Sequence, residues 1–222
     1  MGVRLGFLAL LICVLAGCGG GSSGTGNLRF VQASPNAPQV NLLVEGKSVA
    51  TGLEYMNATG YISLHTGSQQ VQVVPVSGGS AILDTSVNIT SSGNQTLILT
   101  GSAASPHTIL LNDSNSTTTT TGDGNVRVIN ASSNAGTADV YIVPAGDSIA
   151  GIPPTVANLG FDGNTGYQLV AIGGYEVIMT TPGTKNAFLD TGSINLASST
   201  NQTVVALDGL SGGVTFTQLS DQ

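Results

Sequence analysis

The chain has 222 residues, of which only 8% are charged, and a formal net charge of −7. So sparse and acidic a surface argues against nucleic-acid binding and against electrostatic attachment to anionic headgroups. Its 31 glycines, with Ser, Thr and Asn supplying most of the polarity, fit a β-rich extracytoplasmic protein rather than a charge-dense disordered tail.

The N-terminus carries an address. Met1 to Arg4 is short and basic, and Leu5 to Leu15 is apolar without a charge. That is a signal-peptide pattern, too short for the roughly 20 apolar residues of a spanning helix. It runs into Leu15-Ala16-Gly17-Cys18, which closely resembles the lipobox of bacterial lipoproteins. The resemblance implies cleavage before Cys18, with diacylglyceryl attached to its thiol and an acyl group on its new amine. Several acyl chains, each buried methylene contributing about 0.8 kcal/mol, would hold the protein on the membrane. Gly19, where an Asp commonly retains such proteins in the inner membrane, leans towards the outer one. The mature chain then has no free thiol and no disulfide. It keeps four basic residues (Arg29, Lys47, Arg127, Lys185) against twelve acidic ones, a formal charge of −8.

Residues 18–26 form a Gly/Ser-rich tether. Two blocks follow, 27–112 and 125–222, separated by a Thr-rich linker at 113–124. Both blocks open on nearly the same phrase, "LRFVQASPNAP" at 28–38 and "VRVINASSNAG" at 126–136. Gly60-Tyr61 recurs as Gly166-Tyr167, Leu83-Asp84-Thr85 as Leu189-Asp190-Thr191, and Asn94-Gln95-Thr96 as Asn201-Gln202-Thr203. The order is kept while the offset grows from 98 to 107, which marks an internal duplication with small loop insertions.

Within each block the apolar period is two. Val71 and Val73 alternate with Gln70 and Gln72, whereas Thr96-Leu97-Ile98-Leu99-Thr100 is a continuous run of central-strand length. Breakers such as Ser77-Gly78-Gly79 and Thr181-Pro182-Gly183 separate the runs. The pattern predicts about seven short strands per block and no helix. The fold class is therefore all-β, as two tandem Ig-like antiparallel β-sandwich domains. "ASPNAP" is turn chemistry: Pro35 pre-sets φ and Asn36 tolerates the next position.

"RFVQASPNAPQVNLLVEG", followed by "TGYISLHTGSQQVQVVPVSG", resembles the bacterial domain-of-unknown-function family 4397, and "ADVYIVPAG" at 138–146 keeps the pattern in the second block. The resemblance implies tandem extracytoplasmic β-sandwich modules, often on lipoproteins, and carries no activity. The family's common His position holds Gln32 and Asn130 here, and its common Asp holds Asn36 and Asn134.

Chemistry-bearing constellations are scarce. His65 and His107 do not form a zinc cluster. "FDGN" at 161–164 and "GDGN" at 122–125 lack the repeated acids and closing Glu of a calcium loop. A G-x-S-x-G and a G-x-G-x-x-G pattern both fall within Gly19 to Gly24, without the strand and helix either mechanism requires. Paired carboxylates for hydrolysis would have to come from Asp84, Asp190, Glu45 or Glu54. Asp84 and Asp190 are repeat equivalents, better explained as strand-end acceptors of turn hydrogen bonds. Tyr61, Tyr141, Tyr167 and Tyr175 are too few and scattered for a sugar-stacking platform, and most of them read as half-buried strand residues with wet hydroxyls.

The sequence thus predicts a lipid-anchored envelope protein with a binding or scaffolding role, not an enzyme. It implies no cofactor, no metal and no nucleic acid, and its partner would be a glycan or another envelope protein. A hydrolase using loop carboxylates and a passive spacer are the alternatives. Candidate binding-loop residues are Asn36, Asn134, Asp84 and Asp190. Each block is expected to fold alone, with proteolytic nicking near Thr117–Thr121.

Overall fold

The computed structural model describes residues 24–114 and 122–222, all strand, turn and loop. Cys18 and the stretch 117–121 lie outside the described residues.

Two sandwiches are present. In the first, an outer sheet of β3 (Lys47–Leu53), β2 (Val40–Val44), β5 (Gly67–Pro75) and β6 (Leu83–Ile89) covers an inner sheet. That inner sheet has the order β4 (Ile62–His65), β1 (Thr25–Gln32), β7 (Asn94–Ser102), β8 (Ser105–Asn112). In the second, the inner sheet is β12 (Gln168–Ala171), β9 (Asp123–Asn130), β16 (Asn201–Asp208), β17 (Val214–Asp221). Its outer sheet is β11 (Val156–Leu159), β10 (Ala138–Pro144), β13 (Gly173–Thr180) and β14 (Ala187–Asp190), with β15 (Ile194–Leu196) also on β13. The described strands thus number eight and nine, against about seven expected. The ninth arises because β14 and β15 divide what is one strand in β6, at an extra residue beside Gly192 (φ 61°). Pairing is antiparallel except β1 with β7 and β9 with β16. Their registers are equivalent: Arg29 lies opposite Thr96, and Arg127 opposite Thr203.

Alternation along the inner strands explains the layering. Leu28, Phe30, Leu97 and Leu99 point into a core with Val40, Leu42, Val71 and Val73 of the first outer sheet. Val126, Val128, Val204 and Ala206 do the same against Val140, Tyr175 and Val177. The intervening residues, Val31, Ile98, Ile109 and Leu111 from one sandwich and Ile129, Val205, Leu207 and Leu219 from the other, form a third cluster between the inner sheets. The layers therefore stack outer, inner, inner, outer. The run Thr96–Thr100 is continuous because β7 is buried on both faces. Each inner sheet thus spends its second face on the other sandwich.

A buried polar network fastens that contact. Arg29 donates through Nε to Thr96 Oγ1 (3.0 Å), through Nη1 to the Ser220 carbonyl (2.9 Å), and through Nη2 to Asp221. Arg127 mirrors it, with Nε to Thr203 Oγ1 (3.1 Å), Nη1 to the Asn112 carbonyl (3.4 Å) and Nη2 to Asp113 Oδ1 (2.6 Å). Tyr61 and Tyr167 donate to Asp113 and Asp221 (2.7 Å each), and their rings lie under Arg29 and Arg127 at 4.8 and 4.5 Å. Each arginine thus reaches the other sandwich's terminal aspartate, the reciprocity of an isologous two-fold interface within one chain. Two sequence expectations are corrected. Asp113, placed in the linker, is fully buried. The Tyr61 and Tyr167 hydroxyls bond the Asp113 and Asp221 carboxylates, each at a face covered by the opposite sandwich.

Candidate binding cleft

The reciprocal contacts make both sandwiches point the same way. β1 and β9 both begin at one pole, where the C-terminal Gln222 carbonyl accepts from Asn94 Nδ2 at 2.7 Å. Their eight residues each, rising about 3.3 Å per residue, carry the chain some 25 Å to the opposite pole. There the two repeated turns meet.

Between them lies a cleft of about 490 Å³. Pro35 and Asn36 of the first turn face Ser133 and Asn134 of the second, with Gly101, Ser102, Ser105 and His107 from the β7–β8 hairpin. Phe161 and Asp208 complete the second sandwich's wall. The two phrases that repeat in sequence thus line one cavity.

Three side-chain groups set its chemistry. Asp208, at the end of β16, accepts from Ser133 Oγ (2.8 Å), the Asn134 N–H (2.9 Å) and Ser132 Oγ. His107 Nδ1 pairs with Asp162 Oδ2 at 2.8 Å, while Thr100 donates to Asp162 Oδ1 at 2.7 Å, both across the sandwich boundary. The Phe161 ring tilts at 46° against the His107 ring, centroids 5.7 Å apart. Asp162 reaches out because its φ of 63° turns the backbone there. Below, Tyr55 donates to the Asp208 carbonyl (2.7 Å), and burial, then the Asp208 charge, pushes its hydroxyl up to about 12.

Of the sequence-nominated residues, Asn36 and Asn134 come together in this cleft. Asp84 and Asp190 do not join them. Asp84 is the second residue of β6 and accepts from Gln70 and Gln72 Nε2 (3.0 and 2.9 Å). Asp190 ends β14 and accepts the Gly192 N–H at 2.8 Å. They sit on opposite outer layers, with both inner sheets between them. His65 pairs with Thr25 at the far pole from His107. Among the described residues no group of three or more His, Cys, Asp or Glu is placed to hold a metal ion. The sequence weighed His107 and the Phe161-Asp162 turn separately, and only as metal ligands; that they meet at the cleft was hidden because they lie on different sandwiches and only the fold brings them together.

No curated protein matches the chain. Solved structures resemble it loosely. A family 26 carbohydrate-binding module from Eubacterium rectale, solved with maltoheptaose, is 14% identical, covering 88% of this chain and 97% of its own, with a TM-score of 0.28. Family 41 carbohydrate-binding modules from streptococcal virulence factors are 12% identical over 81% of this chain and 93% of theirs (TM-score 0.27). A cell adhesion protein assignment from Bacteroides fragilis is 10% identical over 89% and 97% (TM-score 0.25). Scores this low carry no inference about a ligand. One family profile, by contrast, matches residues 26–141 as a single span, from the first strand through both repeated turns into β10. More than half of the chain is covered, and the protein belongs to that family, described as a domain of unknown function, DUF4397.

Proposed function

We propose that the protein is a lipid-anchored, extracytoplasmic binding module of a bacterial envelope, that its cleft holds a hydroxyl-rich ligand such as a glycan, and that it does not turn that ligand over. The observation that carries this reading is the convergence of both repeated turns on one cleft, at the pole opposite the entry of the chain. An anchor at Cys18 would hold the β1 start towards the membrane, in the outer membrane if the host has one. The cleft would then face away from it.

The lining supports the ligand class. Amide and hydroxyl groups (Asn36, Asn134, Ser102, Ser105) supply paired donors and acceptors, and Phe161 with Pro35 supplies apolar surface. A pocket of this size with few convergent polar groups suits a small ligand or a few sugar units. An extended peptide would add to an open strand edge, whereas this cleft is walled by turns and a hairpin end. Hydrolysis of glycosides needs two carboxyls within roughly 5–9.5 Å, a separation that Asp84 and Asp190 do not meet across the intervening layers.

The test is retention on immobilised envelope polysaccharide and peptidoglycan. Wild type should be held, and Asn36→Ala combined with Asn134→Ala should be released while keeping its β-type circular dichroism. Equal retention of the double variant would overturn the cleft as the site. Cys18→Ser should move the protein from the detergent to the soluble fraction, and unchanged partition would remove the anchor.

A further inference from the structure

Each sandwich has a corner where its short inner edge strand crosses into the outer sheet, β4 into β5 and β12 into β13. The two corners share a backbone. Ser63 lies opposite Asn27 as Leu169 lies opposite Asn125, and both corners turn on a glycine of positive φ, Gly67 (98°) and Gly173 (119°). On that backbone Leu169 stands where the first copy has Ser63, and Ile172 where it has Thr66. Leu169 and Ile172 are 52% and 49% exposed, and among the described residues they are the two exposed large hydrophobics that share one corner. Beside them a groove of about 260 Å³ separates β12 from the end of β10. Ile142, Pro144, Val170 and Ala171 help to line it, and its lining carries no charged side chain. The matching groove of the first sandwich, between β4 and the β2–β3 turn, is lined by Glu45, Lys47 and His65 among others.

The place of this apolar corner decides its partner. Ile172 donates its N–H to the Gly122 carbonyl (3.0 Å), just before β9, and Ala171 lies opposite Asp123. The corner therefore sits at the pole where β1 and β9 begin, away from the cleft. Even fully extended, the chain from Cys18 to Gly24 spans at most about 22 Å. An anchor at Cys18 would thus keep this pole beside the bilayer that holds it. Neighbouring turns at the pole, Thr66-Gly67, Ser91-Ser92-Gly93 and Ala197–Thr200, contain no Asp, Glu, Lys or Arg that would have to be desolvated there. Leu169 is three residues from Ile172, roughly 10 Å along an extended strand, within reach of the headgroup–acyl boundary once the corner dips about 5–10 Å. Asp123, which has a partner of its own, and Asp147, exposed in the turn after Pro144, flank the patch. Both would be repelled by an anionic surface, so zwitterionic headgroups fit better.

We propose that Leu169 and Ile172 form a second membrane contact, inserting the β12–β13 corner into the zwitterionic lipid surface to which Cys18 is anchored. The inference rests on the anchor reading and adds an orientation to it. An anchor at one point limits the distance from the bilayer without setting a direction, whereas two contacts on one pole hold the cleft outward. Exposed apolar patches of this kind mark lipid or protein contacts, and the short reach from Cys18 selects lipid.

The experiment places the full acylated chain on vesicles of phosphatidylethanolamine and phosphatidylcholine. A single thiol, from Ala171→Cys or Leu210→Cys, carries an environment-sensitive nitrobenzoxadiazole dye. Ala171 is exposed between the two proposed contacts, and Leu210, 80% exposed in the β16–β17 turn at the cleft pole, is the control. On vesicles the dye at position 171 should brighten about threefold and be quenched by spin-labelled lipid, as interfacial insertion requires, while the dye at position 210 stays unchanged. Leu169→Ser combined with Ile172→Ser should abolish the brightening without lowering the melting temperature, since both side chains are exposed. Flotation with the vesicles but no brightening at position 171 beyond that at 210 would overturn the contact and leave the anchor standing. Failure to float would overturn both. Greater brightening on phosphatidylglycerol would replace apolar insertion by electrostatic binding and overturn the proposal. Brightening without lipid that rises with protein concentration would assign the patch to a second copy of the chain, and would overturn it too.

Discussion

The two sandwiches agree at their buried seam and disagree at their exposed pole. At the seam every partner is duplicated: Arg29 and Arg127, Thr96 and Thr203, Tyr61 and Tyr167, Asp113 and Asp221. Each arginine depends on the aspartate of the other half, so drift on one side would strand a buried charge on the other. At the pole no such reciprocity operates. There Asp208 faces Gly101, Ser133 faces Pro35, and Asp162 is matched by Met56, both in left-handed conformation (φ 63° and 70°). Shared burial kept the halves alike where they touch, and exposure let them diverge where a ligand would enter.

The largest effects should follow from breaking the seam. Arg127→Ala leaves Asp113 buried and short of its strongest partner, a loss of about 3–5 kcal/mol. Arg29→Ala should cost about the same, because the geometry is reciprocal, and chemical denaturation of both variants checks this. An effect confined to one of them would mean the seam is not two-fold in energy. Cleavage within 115–121 should leave two fragments that co-elute. Each half expressed alone should aggregate, since Val31, Ile98, Ile109 and Leu111, or their counterparts, would face water. Two stable monomeric halves would restore the self-sufficient domains that the sequence suggests.

A middle-sized effect separates the two turns. Asp208→Ala strips three donors of their acceptor and should cost about 1–3 kcal/mol. The first turn, which has no carboxylate to lose, offers no equivalent variant. Thermal melting that shows no loss for Asp208→Ala would mean that solvent replaces the carboxylate without penalty.

These contrasts were only partly legible in the sequence. The period-two runs and glycine punctuation identified the strands and the sandwich class, because alternation is a direct image of one-sided burial. Two-sided burial was also written there, in the unbroken Thr96–Thr100 run and in the placement of the only arginines after Arg4, Arg29 and Arg127, at equivalent positions. Asp113 was hidden by its setting, at the head of a Ser/Thr-rich stretch that reads as linker. The cleft was half visible: Asn36 and Asn134 came from the repeated phrase, whereas His107 and Asp162 are 55 residues apart and meet only across the seam. That Gly101 stands where the second copy has Asp208 is readable from the aligned copies.

Alkaline pH should act on the seam and the cleft floor together. Burial first, and then the Asp208 charge, push Tyr55 up to about 12; burial also pushes Tyr61, Tyr167 and Tyr175 well above the ordinary tyrosine range. A pKa raised on folding contributes stability that is complete below the unfolded value of 10.0 and is lost as pH rises through the folded values. Absorbance at 295 nm should therefore show these phenols ionising together with unfolding. Ionisation near pH 10 in the folded protein would contradict their burial.

The smallest expected effect compares Asp139 with its counterpart Asn41, again on the two sandwiches. Asp139 accepts the Gly183 N–H (2.8 Å) and the Asn158 N–H (2.9 Å), whereas Asn41 Oδ1 accepts a single N–H, from Gly52 at 3.1 Å. The Gly183 bond and then the Asn158 bond favour the ionised form, outweigh burial, and hold the Asp139 carboxyl below its ordinary 3.8. A carboxyl lowered on folding contributes stability above its unfolded pKa and loses it as pH falls through the folded value. Asp139→Asn removes the charge while keeping one acceptor, as the first sandwich does. It should cost about 1 kcal/mol at neutral pH and flatten the decline in stability below pH 4. An unchanged acid limb in the variant would mean that Asp139 does not set the acid response.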